Sequence, residues 1–561
     1  MISEHSVSAP SAQAEVRSAT VTYVGPIAIV LLLGLLIALS IYTQSPPRAV
    51  PEGVAASAFS ASRAMRHLAV IAAKPHPTGS AELAEVRNYL IRELSAAGLT
   101  PQIQSSTLFK SSRGAPEGGV QNVIARLKGT GSGRAVLLMA HYDSVKGSFG
   151  ASDDGSSVAT LLETLRTLKA GEPLKNDVIF LFTDAEEPGL LGAKSFIAEH
   201  PWAADAGLVL NFEARGNTGP VIMFESSDNN GWLIDEFAKA APYPVAHSLS
   251  YEIYRLLPND TDLTVFKEAG VNGFNFAAID GLTHYHSPLD NLSSVDPNMV
   301  QHQGSYAVGL ARHFGNLELS RPGTRNDVYF DLFGRMLVHY SSIWVMPLTL
   351  LVGALFVTLL VLGLRKRRLT ARGIVMGALA LLVSILAAGL AGSLLWKVIW
   401  MFRGAPSIEF LQSRLFLAGF VAVALAITAV VYVLMTKRTN SESLALGAIL
   451  WWLLLTLIVS VFIPGGSFLF HWPLLFSMVG VALMIWAPQH KKFSTLLMLT
   501  LCAVPAIILW VPVIYQIFIG LTLNFVAFIM AMVVLVMGLL VPLAFTAYPT
   551  ARFTRSLSTM R

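Results

Sequence analysis

The chain has 561 residues, a formal net charge of +5 and only 13% charged residues, with a mean hydropathy of +0.57. That length allows two or more domains, and the apolar balance argues against a wholly soluble protein. The modest charge, without a dense basic patch interleaved with aromatics, argues against nucleic acid as a partner.

In chain order, residues 1–20 are polar and rich in Ser and Ala, and read as a disordered cytoplasmic tail. Val24 to Tyr42 is an uninterrupted apolar run. It is long enough to cross a bilayer, and residues 21–44 are assigned as a transmembrane anchor. A cleaved signal peptide is the rival reading, set against it by the length of the run and by Arg17 as the sole nearby basic residue. Gln44 to Pro51 reads as a Pro-containing linker.

Residues 56–318 read as one α/β domain. Ala81 to Ala97 is an amphipathic helix. Val120 to Leu127, Ala135 to Ala140, Val178 to Phe182, Gly207 to Phe212, Pro220 to Phe224 and Gly273 to Ala278 read as strands. Ser156 to Leu168 has helical spacing, with Val158, Leu161, Leu162, Leu165 and Leu168 on one face. Strands alternating with helices imply a mostly parallel sheet flanked by helices. Residues 319–341 form an amphipathic connector, in which Asp327 to Tyr340 is expected along the membrane surface. Residues 342–548 form an all-α multispanning membrane domain of about seven helices. The spans fall near Ile343–Gly363, Ile374–Trp396, Leu415–Leu434, Leu444–Ile463, Trp472–Ala487, Thr495–Val513 and Phe518–Phe545. Residues 549–561 are a second cytoplasmic tail. The sole cysteine, Cys502, lies in an apolar run, so no disulfide forms within the chain.

Arg365 to Arg368 and Arg372, then Lys437 and Arg438, then Lys491 and Lys492, then Arg552, Arg555 and Arg561 fall in alternate connections. Lys397, Arg403 and Arg414 are the basic residues of the others. The basic side is the cytoplasmic side, which puts residues 56–318 outside the cytoplasm. From Gly334 onward the only carboxylates are Glu409 and Glu442, both in predicted loops, which weakens a transporter reading.

Chemistry concentrates between Ala135 and Glu187. His141 and Asp143 end one predicted strand. Asp153 and Asp154 precede a helix. Asp184, Glu186 and Glu187 end the next strand, Glu213 ends another, and His286 opens His-Ser-Pro-Leu-Asp. Ligands bind beyond the carboxyl ends of strands in open α/β sheets, and this mixture of His and carboxylate suits Zn²⁺ or a similar divalent ion.

These motifs, His141-Tyr-Asp143, Ala151-Ser-Asp153-Asp154-Gly155, Glu186-Glu187, Asn211-Phe-Glu213 and Tyr285-His286-Ser-Pro-Leu-Asp290, resemble the M28 zinc aminopeptidases over roughly residues 65–315. The arrangement of a catalytic domain followed by several spans is similar to the multispanning subgroup that includes vacuolar membrane proteases and the endoplasmic reticulum metallopeptidase. Because the chain ends after its spans, it reads as a minimal, bacterial-type version. The resemblance implies a zinc-exopeptidase-like fold and two Zn²⁺ ions, with another divalent metal as the alternative. Asp153 is the implied bridge, His141 and Glu213 complete one metal's ligands, and Glu187 and His286 complete the other's. Glu186 is the implied general base and acid.

Other residues keep two readings. Asp143 either orients the His141 imidazole or is a surface acid, and Asp154 is the rival to Asp153 as bridge. Tyr285 either donates to an oxyanion or packs at the sheet edge. Arg215 reads a substrate carboxylate or pairs with an acid, His284 is a neighbour rather than a ligand, and Asp290 bonds within its own loop. Pro258 to Asp262 shapes the pocket wall or caps a helix. The function expected is a membrane-bound di-zinc aminopeptidase acting on peptides with a free N-terminus, periplasmic if bacterial and lumenal or vacuolar if eukaryotic. Lipid is a partner, and the membrane helices allow a homo-oligomer. The rivals are carboxypeptidase or glutaminyl cyclase chemistry on the same fold, and a non-catalytic membrane scaffold or receptor.

Overall fold

The computed structural model describes residues 12–110, 119–319, 325–404, 411, 413–486 and 492–547. The expected tails at 1–11 and 549–561, with Arg552, Arg555 and Arg561, lie outside the described residues, as do Glu409 and Lys491.

A seven-stranded sheet organises the first half. Its strands are β1 (Gln102–Ser106), β2 (Val120–Leu127), β3 (Ala135–His141), β4 (Val178–Thr183), β5 (Ala206–Ala214), β6 (Thr218–Ser226) and β7 (Gly273–Asp280), in the order β1-β2-β4-β3-β5-β7-β6. The sheet is mixed. The central pairs β3–β4, β3–β5 and β5–β7 are parallel, while β1–β2, β2–β4 and β6–β7 are antiparallel. β1 has no counterpart among the expected strands, because Gln-Ile-Gln-Ser-Ser is an edge with one apolar residue and leaves no alternation to read.

Every residue of β3 and β4 is buried, because both faces of the sheet are covered. Val136, Leu138, Phe180 and Phe182 face a core shared with α2 (Ala61–Ile71), α3 (Ala81–Ala96) and α4 (Ser157–Lys169). Leu137, Met139, Ile179 and Leu181 face the other way, towards α5 (Leu191–Glu199), which contributes Phe196. The remaining helices of this half are α6 (Gly231–Ala240), α7 (Ser248–Tyr254), α8 (Asp262–Glu268) and α9 (Pro297–Phe314). The stretch read as a linker is docked on α9, where the Ala49 and Val50 N–H groups donate to Asn298 and Gln301 at 2.7 and 3.0 Å.

Asp327 to Tyr340 departs from expectation. It forms an antiparallel hairpin of β8 (Asp327–Leu332) and β9 (Met336–Ser341), turning at Phe333 and Gly334. The period is two rather than 3.6, and each face meets a different core. Val328 and Phe330 pack with the membrane helices, while Tyr329 and Leu337 pack with the catalytic domain.

The first helix, α1 (Ala12–Tyr42), starts before the apolar run, so residues 12–20 are helical rather than irregular. Seven described helices are long and apolar enough to cross a membrane. They lie in α10 (Val345–Arg365), α11 (Ala371–Arg403), α12 (Arg414–Thr436), α13 (Ser441–Phe462), α14 (Phe468–Trp486), α15 (Lys492–Leu521) and α16 (Val526–Ala547). Phe518 belongs to α15 and not to the last span, since the chain breaks at Thr522, whose φ of 60° ends the helix. Ile29 and Leu33 of α1 pack on Leu496, Leu499 and Leu543.

Candidate metal centre

Four parallel strands deliver the site to one edge. β3 ends at His141 and β4 ends one residue before Asp184. In β5, Asn211 and Glu213 share one side while Phe212 turns into the core between them. The loop after β7 brings in His286, and the turn into α4 brings in Asp153 and Asp154.

The side chains converge in two sets. His141 Nε2 lies 3.2 Å from Asp153 Oδ1 and 3.7 Å from Glu213 Oε2. His286 Nε2 lies 3.1 Å from Asp153 Oδ2 and 3.3 Å from Glu187 Oε2. Asp153 therefore belongs to both sets, with one oxygen in each. Tetrahedral ligands about 2.0–2.1 Å from a zinc stand about 3.4 Å apart, so these separations fit a cation at each set. Glu187 Oε1 is buried without a hydrogen-bond partner, as suits an oxygen set to bind a cation.

Charge makes the same case. Burial pushes the Glu213 carboxyl up to about 8, against the pull of His141, and Asp153 adds to the rise. Burial and then Asp153 raise Glu187. Burial raises Glu186 well above the usual carboxylate range, with Glu213, Asp262 and Glu187 adding to it. Burial works against the charge of Asp153 and His286 too, yet their partners win: His141 and then His286 hold Asp153 low, and Asp153 with Glu187 lifts His286 to about 9. Carboxylates packed this closely need positive charge among them.

A second layer fixes the donors. His141 Nδ1 lies 3.0 Å from the Asp143 carbonyl, which leaves Nε2 to face the cluster. Asp143 is fully buried; it accepts from Thr78 Oγ1 at 2.9 Å and from the Glu186 N–H at 3.1 Å, so it ties the β3 edge to the Glu186 loop. Asp154 turns away from the second histidine, and its Oδ2 accepts from the His141 N–H at 3.3 Å. Ala185 and His286 both sit in the left-handed region, at φ 59° and 53°. Such positions cost about 1–3 kcal/mol each and concentrate where a site over-determines them.

The remaining candidates sort plainly. Tyr285 stacks on the His286 ring with centroids 3.7 Å apart. Arg215 is exposed and lies over the Tyr285 ring at 5.8 Å. His284 bonds to Asn217. The Asp290 side chain does not stay in its own loop. It accepts from Ser152 N–H and Oγ–H at 2.7 and 2.6 Å and from the Asp153 N–H at 3.2 Å, gripping the turn that carries Asp153. Asp262 does more than open α8. It is buried, accepts from Thr183 Oγ1 at 2.5 Å and, through burial, is raised to about 6. The sequence offers Asp262 only within the Pro258–Asp262 stretch, as pocket wall or helix cap, and its bond to Thr183 at the end of β4 is what ties it to the site.

An α/β domain whose parallel strand ends carry two linked His–carboxylate sets defines the class of a metal-dependent hydrolase site. The Peptidase family M28 model matches residues 122–311, and the chain carries a Peptidase M28 domain there. Endoplasmic reticulum metallopeptidase 1 of Homo sapiens is 32% identical over 232 residues, covering 40% of this chain and 26% of that protein. The vacuolar membrane protease of Yarrowia lipolytica is 31% identical over 356 residues, covering 58% of this chain and 35% of that protein. The chain thus spans about a third or less of the length of these relatives. A Zn-dependent exopeptidase from Parabacteroides distasonis is 20% identical, with a TM-score of 0.39, covering 46% of this chain and 99% of that one.

Proposed function

We propose that the protein is a membrane-bound di-zinc aminopeptidase that removes N-terminal residues from peptides outside the cytoplasm. The observation that carries this reading is Asp153, shared between two His–carboxylate sets about one ligand spacing wide, with Glu186 beside them. His141, Asp153 and Glu213 would hold one Zn²⁺, and Asp153, Glu187 and His286 the other. Bound there, the pair would polarise a scissile carbonyl and make water acidic enough to be deprotonated near neutral pH. Glu186, whose carboxylate burial makes a stronger base than usual, would take a proton from the attacking water and pass it to the leaving amine. Tyr285, stacked on His286, faces the same acids and stands ready to donate to the developing oxyanion. The acids clustered around the site favour a substrate with a free α-amine.

The ends of the helices support this sidedness. Arg414 at the start of α12, Gly465 after α13 and Gln516 near the end of α15 contact the catalytic domain, and Gln44 after α1 contacts Asp331 of the β8–β9 hairpin. Arg365 to Arg368, Lys437 and Arg438 lie at opposite ends of their helices. Basic ends face the cytoplasm, which supports a catalytic domain on the other side.

The test is elemental analysis of purified protein with hydrolysis of matched free and N-blocked peptides. Two zincs per chain and cleavage of free N-termini alone are expected. Glu186→Gln should keep both metals and lose about 10²–10⁴-fold in kcat. Wild-type rates in that variant, or cleavage of blocked peptides, would overturn the assignment.

A further inference from the structure

We infer that the substrates are polypeptides presented at the membrane surface, because the metal centre stands almost at the level of the bilayer. This rests on the peptidase reading and adds to it where the substrate must come from. The edge of the sheet that carries the site is also the edge that meets the membrane helices. In the β5–β7 register, Glu213 lies opposite Ala277. Three residues further along β7, Asp280 Oδ2 pairs with Arg414 Nη2 at 3.1 Å. Ile279 packs among the membrane helices, and the Arg414 guanidinium lies over the Tyr515 ring at 5.6 Å.

Three residues of strand are about 10 Å at a rise of about 3.3 Å each. Arg414 begins α12, which has 23 residues. At 1.5 Å per residue that helix is about 34 Å long, close to a hydrocarbon core of about 30 Å, so Arg414 sits at the outer boundary of the core. The metal centre therefore stands roughly 10–15 Å beyond the hydrocarbon, at or just above the headgroups. A domain of roughly 260 residues is about 45 Å across, so a site on its far side would stand three times higher.

The rim of the site agrees. The α7 segment touches the membrane helices through Ser248 Oγ, which donates to the Gly465 carbonyl at 2.6 Å, and through Glu252, which accepts from the Gly465 N–H. Ile253 at its end is exposed, and directly after it Leu256 is 78% exposed with Leu257 also exposed, just before Asp262 enters the site. Apolar side chains left in the open beside a membrane-facing contact suit a lipid surface or a chain emerging from it.

The experiment is a molecular ruler. Full-length, zinc-loaded protein in vesicles is given peptides of one N-terminal sequence, either free or held at the C-terminus by a lipid anchor through spacers of 5, 10 and 20 residues, about 16 Å for the shortest when extended. The 5-residue spacer is expected to be cut at least tenfold faster than the free peptide, and within about threefold of the 20-residue spacer. Cleavage of the free peptide and the 20-residue spacer without cleavage of the 5-residue one would overturn the membrane-level site and leave the peptidase reading standing. Equal rates for free and anchored peptides would do the same. No hydrolysis of any of them by protein shown to hold zinc would overturn the peptidase reading, and this inference with it.

Discussion

Asp290 shows how much of the centre depends on a side chain that binds no metal. It accepts three hydrogen bonds from Ser152 and Asp153, and so sets where both Asp153 oxygens point. Charge-assisted bonds of this kind are worth about 1.5–3 kcal/mol. Asp290→Ala is therefore expected to weaken zinc binding about 10–100-fold, the range seen when partners of metal ligands are removed. Competition with a chelator measures it, and an unchanged zinc affinity would deny Asp290 that role. Asp143 differs, because its two oxygens join Thr78 to the Glu186 N–H. Asp143→Asn replaces one acceptor oxygen with a donor, and should lower kcat more than it lowers zinc content. Parallel kinetics and metal analysis distinguish the two.

Among the elements, the β8–β9 hairpin is the wedge between two cores. Next to it a chain of buried and half-buried polar groups crosses the domain boundary. His247 Nε2 lies 2.7 Å from Gln516 Oε1, Gln516 Nε2 donates to Gln44 Oε1 at 3.1 Å, and Gln44 Nε2 donates to Asp331 Oδ2 at 3.1 Å. Gln516→Leu strands two of these groups, at about 1–3 kcal/mol each. A lower unfolding temperature in detergent is the expected result. Asp331 adds a pH signature. Burial raises its pKa from the ordinary value of 3.8 to about 6. Between about pH 4 and pH 6 the folded state then holds more protons than the unfolded one, so this residue's contribution to stability falls as pH rises. Asp331→Asn should flatten the decline across that window, by up to about 1.4 kcal/mol per pH unit. Thermal unfolding at stepped pH measures the difference, and superimposable wild-type and variant profiles would refute it.

At the scale of the whole molecule, three contacts to the catalytic domain and one to the β8–β9 hairpin gather at one end of the membrane helices, and the basic loops lie at the other end. Cys502 is the sole cysteine, so a Cys502→Ala background allows clean labelling. Arg367→Cys in that background should react with an impermeant thiol reagent only after cells are opened. Ser293→Cys, at an exposed position of the catalytic domain, should react in intact cells. The reverse pattern would invert the topology and remove the extracytoplasmic peptidase.

What was legible in the sequence was whatever a local pattern records. Fully buried strands such as β3 and β4 are continuous apolar runs, α4 carries its stripe, and each membrane helix is long and apolar enough to be read alone. The His and carboxylate motifs fall at strand ends, so the sequence drew attention to them, and the family resemblance supplied their expected roles. What has no local pattern became visible only in three dimensions. The polar edge strand β1 exists because β2 offers it a ladder. Asp327 to Tyr340 is a hairpin because two separate cores need covering. The Thr183–Asp262 and Ser152–Asp290 bonds join residues 79 and 138 apart, and the site lies near the bilayer because Asp280 meets Arg414 across 134 residues. Those facts depend on contacts between segments far apart in the chain, and no window along the sequence contains both partners.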